Sequence, residues 1–254
     1  MNNISPIDGR YQKITNVLSQ YFSEFSFFKY RLYVELQYFI ALIDILPELE
    51  TIREGSIKNN IIKIWSDFNK EDYLIIKKHE EILQHDIKAL EYFIRDKFIE
   101  INLKDYISFI HFGVTSQDIN TSANMLSLTE SLSFYIIPEI SKITEAIHIF
   151  VTNTNNDIML GFTHGQPAVP TSMSKELLVF KYRIEEQLDI LKNMKFSTKF
   201  GGAVGNLNAH YAAYPDIDWV LFANNFIKSI GLEREQYTTQ ISNYDNLCNV
   251  LNQI

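Results

Sequence analysis

Cysteine occurs once in 254 residues, at Cys248, so no internal disulfide can form and a reducing, cytoplasmic setting is expected. Glycine (9) and proline (6) are scarce, which disfavours a turn-rich β fold and favours long helices. Apolar runs stay short of the roughly 18–20 residues needed to cross a bilayer, so a membrane protein is not expected. The opening Met1-Asn-Asn-Ile-Ser-Pro6 has neither the basic flank nor the apolar stretch of a signal peptide. Basic residues are outnumbered, 23 Lys and Arg against 31 Asp and Glu, which argues against nucleic acid as a main partner. There is no Cys/His set at zinc spacing, no Walker loop, and no glycine fingerprint after a strand. His79 and His85 are six apart and do not share a helical face, so no metal is implied. What remains is 46% hydrophobic and 13% aromatic, enough for a sizeable core in one large or two smaller domains.

The apolar pattern is helical. Leu18, Tyr21, Phe22, Phe25, Phe28, Leu32, Leu36, Phe39, Ile40 and Ile43 recur at three and four residues and predict one helix over residues 16–46, closed by Pro47. Shorter helices are expected over 56–68, 71–83 and 86–98. Thr115-Ser116-Gln-Asp118 reads as a helix start, opening a long helical pattern to about 153 that Pro138 should kink or split. Further helices are expected over 171–196 and 216–230, the latter closed by Gly231, and another begins near Ser242-Asn-Tyr-Asp245. Period-two alternation is sustained nowhere. Five of the nine glycines fall in two stretches, Gly161-Phe-Thr-His-Gly-Gln-Pro-Ala168 and Gly201-Gly-Ala-Val-Gly-Asn206. Such loops on a rigid helical scaffold are where function is usually placed.

The polar residues suit acid–base work and anion binding. His164, in Thr-His-Gly-Gln-Pro between two helical segments, is either a general acid or base or a helix-capping histidine. His85-Asp86-Ile-Lys88 sets an imidazole, a carboxylate and an ammonium at a helix start. The carboxylate can orient the imidazole or cap the helix, and Lys88 can meet an anionic ligand or water. Thr115 and Ser116 can hold a carboxylate or phosphate at the positive end of a helix, or simply cap it. Arg10-Tyr11 pairs an anion fork with a stacking ring. Thr238-Thr239-Gln240 and Lys199 are unremarkable alone, and His111, His148 and His210 read as structural histidines.

Six ordered blocks, Ser5-Pro-Ile-Asp-Gly-Arg-Tyr11, His85-Asp-Ile-Lys-Ala89, Phe112-Gly-Val-Thr-Ser-Gln-Asp-Ile-Asn120, Thr163-His-Gly-Gln-Pro-Ala168, Gly201-Gly-Ala-Val-Gly-Asn206 and Tyr237-Thr-Thr-Gln-Ile241, together resemble the adenylosuccinate lyases of the fumarase/aspartase superfamily. The opening block and Asn208-Ala-His-Tyr-Ala-Ala-Tyr-Pro215 resemble a bacterial branch. The resemblance implies an all-α fold: a helical N-terminal lyase domain over 1–104, then a central long-helix bundle domain over 105–254, incomplete. It implies a β-elimination that releases fumarate from adenylosuccinate and from the succinyl-carboxamide ribotide of purine synthesis. No cofactor or metal is implied, and a cytoplasmic homotetramer whose sites combine several subunits is.

By matching position, His164 would be the general acid. Arg10, Tyr11, Gln84, His85, Asp86, Lys88, Thr115, Ser116 and Gln240 would bind the substrate. Gln84 stands where this branch usually has Asn. No serine pair matches the family's mobile base-bearing loop, so a truncated chain with negligible turnover, poorly soluble or self-associating, is expected. The alternatives are another fumarate-releasing lyase of the superfamily and a non-catalytic helical interaction module.

Overall fold

The computed structural model describes residues 4–154 and 157–254. Its helices are α1 (Gln12–Thr15), α2 (Ser19–Phe22), α3 (Glu24–Ile45), α4 (Gly55–Ser66), α5 (Lys70–Leu83), α6 (Asp86–Glu100), α7 (Ser116–Ser131), α8 (Ile137–Asn153), α9 (Met173–Lys192), α10 (Asn208–Ala213), α11 (Trp219–Ser229) and α12 (Asp245–Gln253). The fold is the long-helix type expected, with one antiparallel hairpin, β1 (Ile158–Thr163) and β2 (Gln166–Ser172), and a two-residue parallel pair, β3 (Ser197–Thr198) and β4 (Glu233–Arg234).

The chain packs as two compact units that follow contacts rather than sequence order, and they cut the chain elsewhere than between residues 104 and 105. The first unit comprises Met1–Thr129 and Phe196–Tyr244, the second Glu130–Lys195 and Asp245–Ile254.

In the first unit, α3 buries Phe28, Leu32, Leu36, Phe39 and Ile43 of the three-and-four repeat, together with Tyr38 and Leu42, and packs against α4, α5 and α6. Phe39 meets Phe98 of α6 edge-on at 4.7 Å, and Tyr38 meets Phe200 at 5.4 Å. The single helix expected over residues 16–46 is broken. At Ser23 the backbone turns extended (φ −73°, ψ 157°) and the hydroxyl accepts from the Ser26 N–H, because serine competes well for the free donors of a helix start. The expected 56–68, 71–83 and 86–98 helices appear within one to two residues. Asn69 and Asp72 close a reciprocal capping box on α5.

In the second unit α8 and α9 pack together, and α12 packs on α9. The break expected at Pro138 takes the form of a change of helix type just before it. A π-helical segment over Leu132–Ile136 leads into α8, whose first turn holds the proline. The wider turn accommodates a residue that has no N–H to donate and whose ring crowds the preceding turn. The hairpin is the main departure from the sequence reading. Both its faces are largely exposed, so no apolar alternation marks it, and Pro167 and Pro170 argue against a strand. Gly161 stands at its register shift, where a Cβ would come within 2.7 Å of the Val169 carbonyl oxygen.

Candidate functional site

The most densely bonded polar group of the first unit is Asp118, fully buried at the third position of α7. Its carboxylate accepts from the N–H of Thr115 (2.8 Å), Gly201 (2.7 Å) and Gly202 (3.0 Å to Oδ2). It also pairs with the buried Lys199 ammonium at 2.7 Å. Lys199 in turn donates to the Gly202 carbonyl at 2.6 Å. Burial pulls the Lys199 ammonium below its ordinary pKa, and Asp118 opposes that pull. One carboxylate therefore stitches the 112–120 block to the 201–206 loop.

The glycines then bring in a third block. A Cβ on Gly202 would lie 3.0 Å from the Gly113 carbonyl oxygen, and one on Gly205 would lie 2.2 Å from that of Thr238. Backbone runs against backbone there, which only glycine permits, and both have positive φ (76° and 83°). Thr115, Ser116 and the 237–241 block are thus carried by three loops locked together. Thr115 and Ser116 are half-buried and Gln240 is exposed.

Beneath the 111–115 loop stands a second support. The buried Tyr38 hydroxyl donates to the Phe112 carbonyl at 2.7 Å and lies 2.8 Å from His210 Nε2. With its proton committed, the hydroxyl oxygen accepts from Nε2–H, which leaves Nδ1 as an acceptor without a hydrogen-bond partner. Such a ring is held neutral: burial lowers the His210 pKa to about 4, slightly opposed by Asp118.

The His85–Lys88 block is a helix start in which both side chains cap. His85 Nδ1 accepts from the Lys88 N–H at 3.2 Å, and Asp86 Oδ1 accepts from the Ile87 N–H at 2.8 Å. Because Nδ1 is an acceptor, the imidazole carries its proton on Nε2, on a ring that is half exposed. The carboxylate does not orient that ring by a hydrogen bond: His85 Nδ1 and Asp86 Oδ1 are 3.6 Å apart. Asp86 Oδ2 instead accepts from Arg31 Nη2 at 2.7 Å, and Arg31 Nε donates to Asn120 Oδ1 at 2.8 Å. Lys88 pairs with Glu91 at 2.6 Å. His111 Nδ1 donates to the buried Glu35 at 2.5 Å, with Nε2 4.0 Å from Glu91. Burial works against the charged His111 ring, but Glu35 and Glu91 together outweigh it and raise the pKa.

The remaining predicted residues stand apart from this network. Arg10 lies 5.6 Å over the ring of its neighbour Tyr11, and both are exposed. Gln84 closes α5 in the left-handed region (φ 52°) and donates its amide to the Glu81 carbonyl at 2.7 Å. His164 belongs to the second unit and is exposed; it lies between the helices α8 and α9, as its sequence suggested, but on the hairpin that joins them. With Gly165 it forms the two-residue turn of the hairpin, both at positive φ (50° and 72°), the pattern of a type I′ turn.

Asp118, Lys199, Arg31, Glu35, Tyr38 and His210 were not singled out as functional by the sequence. A charged residue flanked by core residues, as Lys199 is by Thr198 and Phe200, was the available signal, since lone charges are rarely buried unpaired. Among the described residues no cluster of three or more His, Cys, Asp or Glu is arranged to hold a metal ion. Among these residues, no helix is long and apolar enough to cross a membrane.

Comparison with known proteins agrees with this architecture. A family model described as "Lyase" matches residues 9–254. An adenylosuccinate lyase of Dictyostelium discoideum is 44% identical over 98% of this chain and 55% of its own length. One from Legionella pneumophila (strain Corby) is 42% identical over 98% and 55%. The chain thus spans about half the length of the curated relatives it matches. Among solved structures, a fumarate lyase from Mesorhizobium sp. BNC1 superimposes with TM-score 0.73 at 20% identity, over 94% of this chain and 53% of that one. A β-carboxy-cis,cis-muconate cycloisomerase from Acinetobacter calcoaceticus does so with TM-score 0.71 at 17%, again over 94% and 53%. These two establish the fold. With the family model spanning nearly every residue and relatives above 40% identity along the chain, this chain belongs to the lyase family of the fumarase/aspartase superfamily and is closely related to the adenylosuccinate lyases.

Proposed function

We propose that this chain supplies the substrate-binding and proton-donating part of an adenylosuccinate lyase. The reaction is a β-elimination. A base takes a proton from the carbon beside a carboxylate of the succinyl group, the C–N bond breaks to leave fumarate, and the nitrogen takes up a proton. Adenylosuccinate and the succinyl-carboxamide ribotide of purine synthesis are the substrates of this reading, and a homotetramer in the cytoplasm is its setting. No cofactor is required.

The observation that carries it is the Asp118 node. An anionic substrate would be repelled by a free carboxylate at the start of α7, but this one is saturated by Lys199 and three backbone N–H groups. The positive end of the helix at Thr115 and Ser116 is thereby left to a carboxylate or phosphate. His85, with its proton on Nε2, donates toward the same ligand, and Asp86 and Lys88 line its pocket. Gln240 sits on the loop that Gly205 docks. Arg10 and Tyr11 take the nucleotide end, and Gln84 serves through its amide. His164 is the general acid for the departing nitrogen. The base is assigned to no residue of this chain.

Titration calorimetry and ultraviolet absorbance test this together. The chain should bind adenylosuccinate and release almost no fumarate, since a missing base removes about 10²–10⁴-fold of rate. No binding, or brisk fumarate release by the chain alone, overturns the reading.

A further inference from the structure

Arg31 lies outside every motif block, yet its side chain joins two of them. It sits on the buried face of α3, and only 7% of its side chain is exposed. Its guanidinium stacks 3.8 Å over the Phe27 ring. A cation buried among aromatic rings needs partners, and truncation of one partner strands the other. The fork makes two bonds to two different elements: Nη2 to Asp86 Oδ2 at 2.7 Å on α6, and Nε to Asn120 Oδ1 at 2.8 Å on α7. Asp86 follows His85 directly, and Asn120 lies one helical turn beyond Ser116.

We propose that Arg31 is a positioning residue: its fork fixes the separation between the His85-Asp86 block and the Thr115-Ser116 block. This rests on the proposed function, in which both blocks hold one substrate. A ligand bridging two rigid blocks is sensitive to their spacing, and a displacement of about 1 Å can cost about a hundredfold. Lysine keeps the charge but has a single nitrogen and no planar fork, so it cannot make both bonds in this geometry.

The test compares Arg31→Lys with Arg53→Lys in the whole 254-residue chain. Arg53 donates to the Ile43 and Leu46 carbonyls, a purely structural role outside the site. Adenylosuccinate is titrated to give Kd and stoichiometry separately, and amide exchange is followed over residues 87–89 and 116–120. Arg31→Lys should weaken binding about ten- to hundredfold at unchanged stoichiometry, with exchange rising in both blocks together, and Arg53→Lys should leave Kd alone. A merely structural arginine would lower stability or stoichiometry without moving Kd.

If Arg31→Lys does not fold, Asn120→Ala removes one arm of the clamp and carries the same expectation. Unchanged Kd, or exchange rising in one block only, overturns the proposal while leaving the function intact. If the unaltered chain does not bind adenylosuccinate, the functional reading falls. The exchange data then decide the clamp alone: a joint rise supports it, and independent behaviour overturns it.

Discussion

At the scale of single residues, the first unit is organised by buried ionisable groups whose partners the sequence did not reveal. Asp118 and Lys199 are an unequal pair. Asp118→Asn leaves a buried ammonium without a counter-charge and should cost about 3–5 kcal/mol. Lys199→Met leaves the carboxylate with its three N–H donors and should cost less; urea denaturation that ranks them the other way contradicts this assignment. The two histidines give pH slopes of opposite sign. His210 is neutral when folded, with its pKa lowered to about 4. Below the ordinary value near 6.5 only the unfolded chain takes up this proton, so stability falls as pH drops from 6.5 toward 4, by about 3 kcal/mol. His111 has a raised pKa, so its contribution is complete below 6.5 and is lost as pH rises through that raised value. Melting curves against pH should lose the acid limb in His210→Asn and the alkaline limb in His111→Gln. Gln84, at φ 52°, occupies a conformation that costs an L-residue about 1–2 kcal/mol. Gln84→Gly should therefore stabilise the chain by about 0.5–1 kcal/mol once the greater freedom of the unfolded glycine is counted, read as a higher denaturation midpoint.

At the scale of elements, helices were legible because burial on one face leaves a three-and-four repeat, as along α3 and α6. The start at His85 was legible because its side chain competes for a free N–H group, whereas the caps at Asn69 and Ser172 emerged only in the structure. The β1–β2 hairpin was not legible, since a strand leaves an alternating pattern only when one of its faces is buried. The docking of loops was equally hidden: the 201–206 run shows that glycine is needed but not what approaches it. Gly205→Ala puts a Cβ 2.2 Å from the Thr238 carbonyl oxygen at a positive φ, so the 201–206 and 237–241 loops must separate. We expect a loss of about 3 kcal/mol or more, together with weaker adenylosuccinate binding, measured on the same preparation.

At the scale of the whole molecule, the second unit exposes many large apolar side chains. Phe180 is 54% exposed, Ile143 53% and Tyr182 63% on α8 and α9, and Phe162 is 63% exposed on the hairpin. Apolar surface of this kind marks association. Light scattering across a concentration series should show an apparent mass that rises with concentration; a monomer mass throughout would refute this.

Length, helical content, the absence of a metal or redox motif and the candidate residues of the ordered motif blocks were all determined by the sequence, because residue types and spacings are local in the chain. The supports of those residues were decided only by tertiary structure. Asp118 meets Gly201 and Gly202 across more than eighty residues, Arg31 meets Asp86 and Asn120, and Tyr38 meets His210. A buried charge is stable only with its partner in place, and that partner is chosen by packing, which no spacing along the chain records.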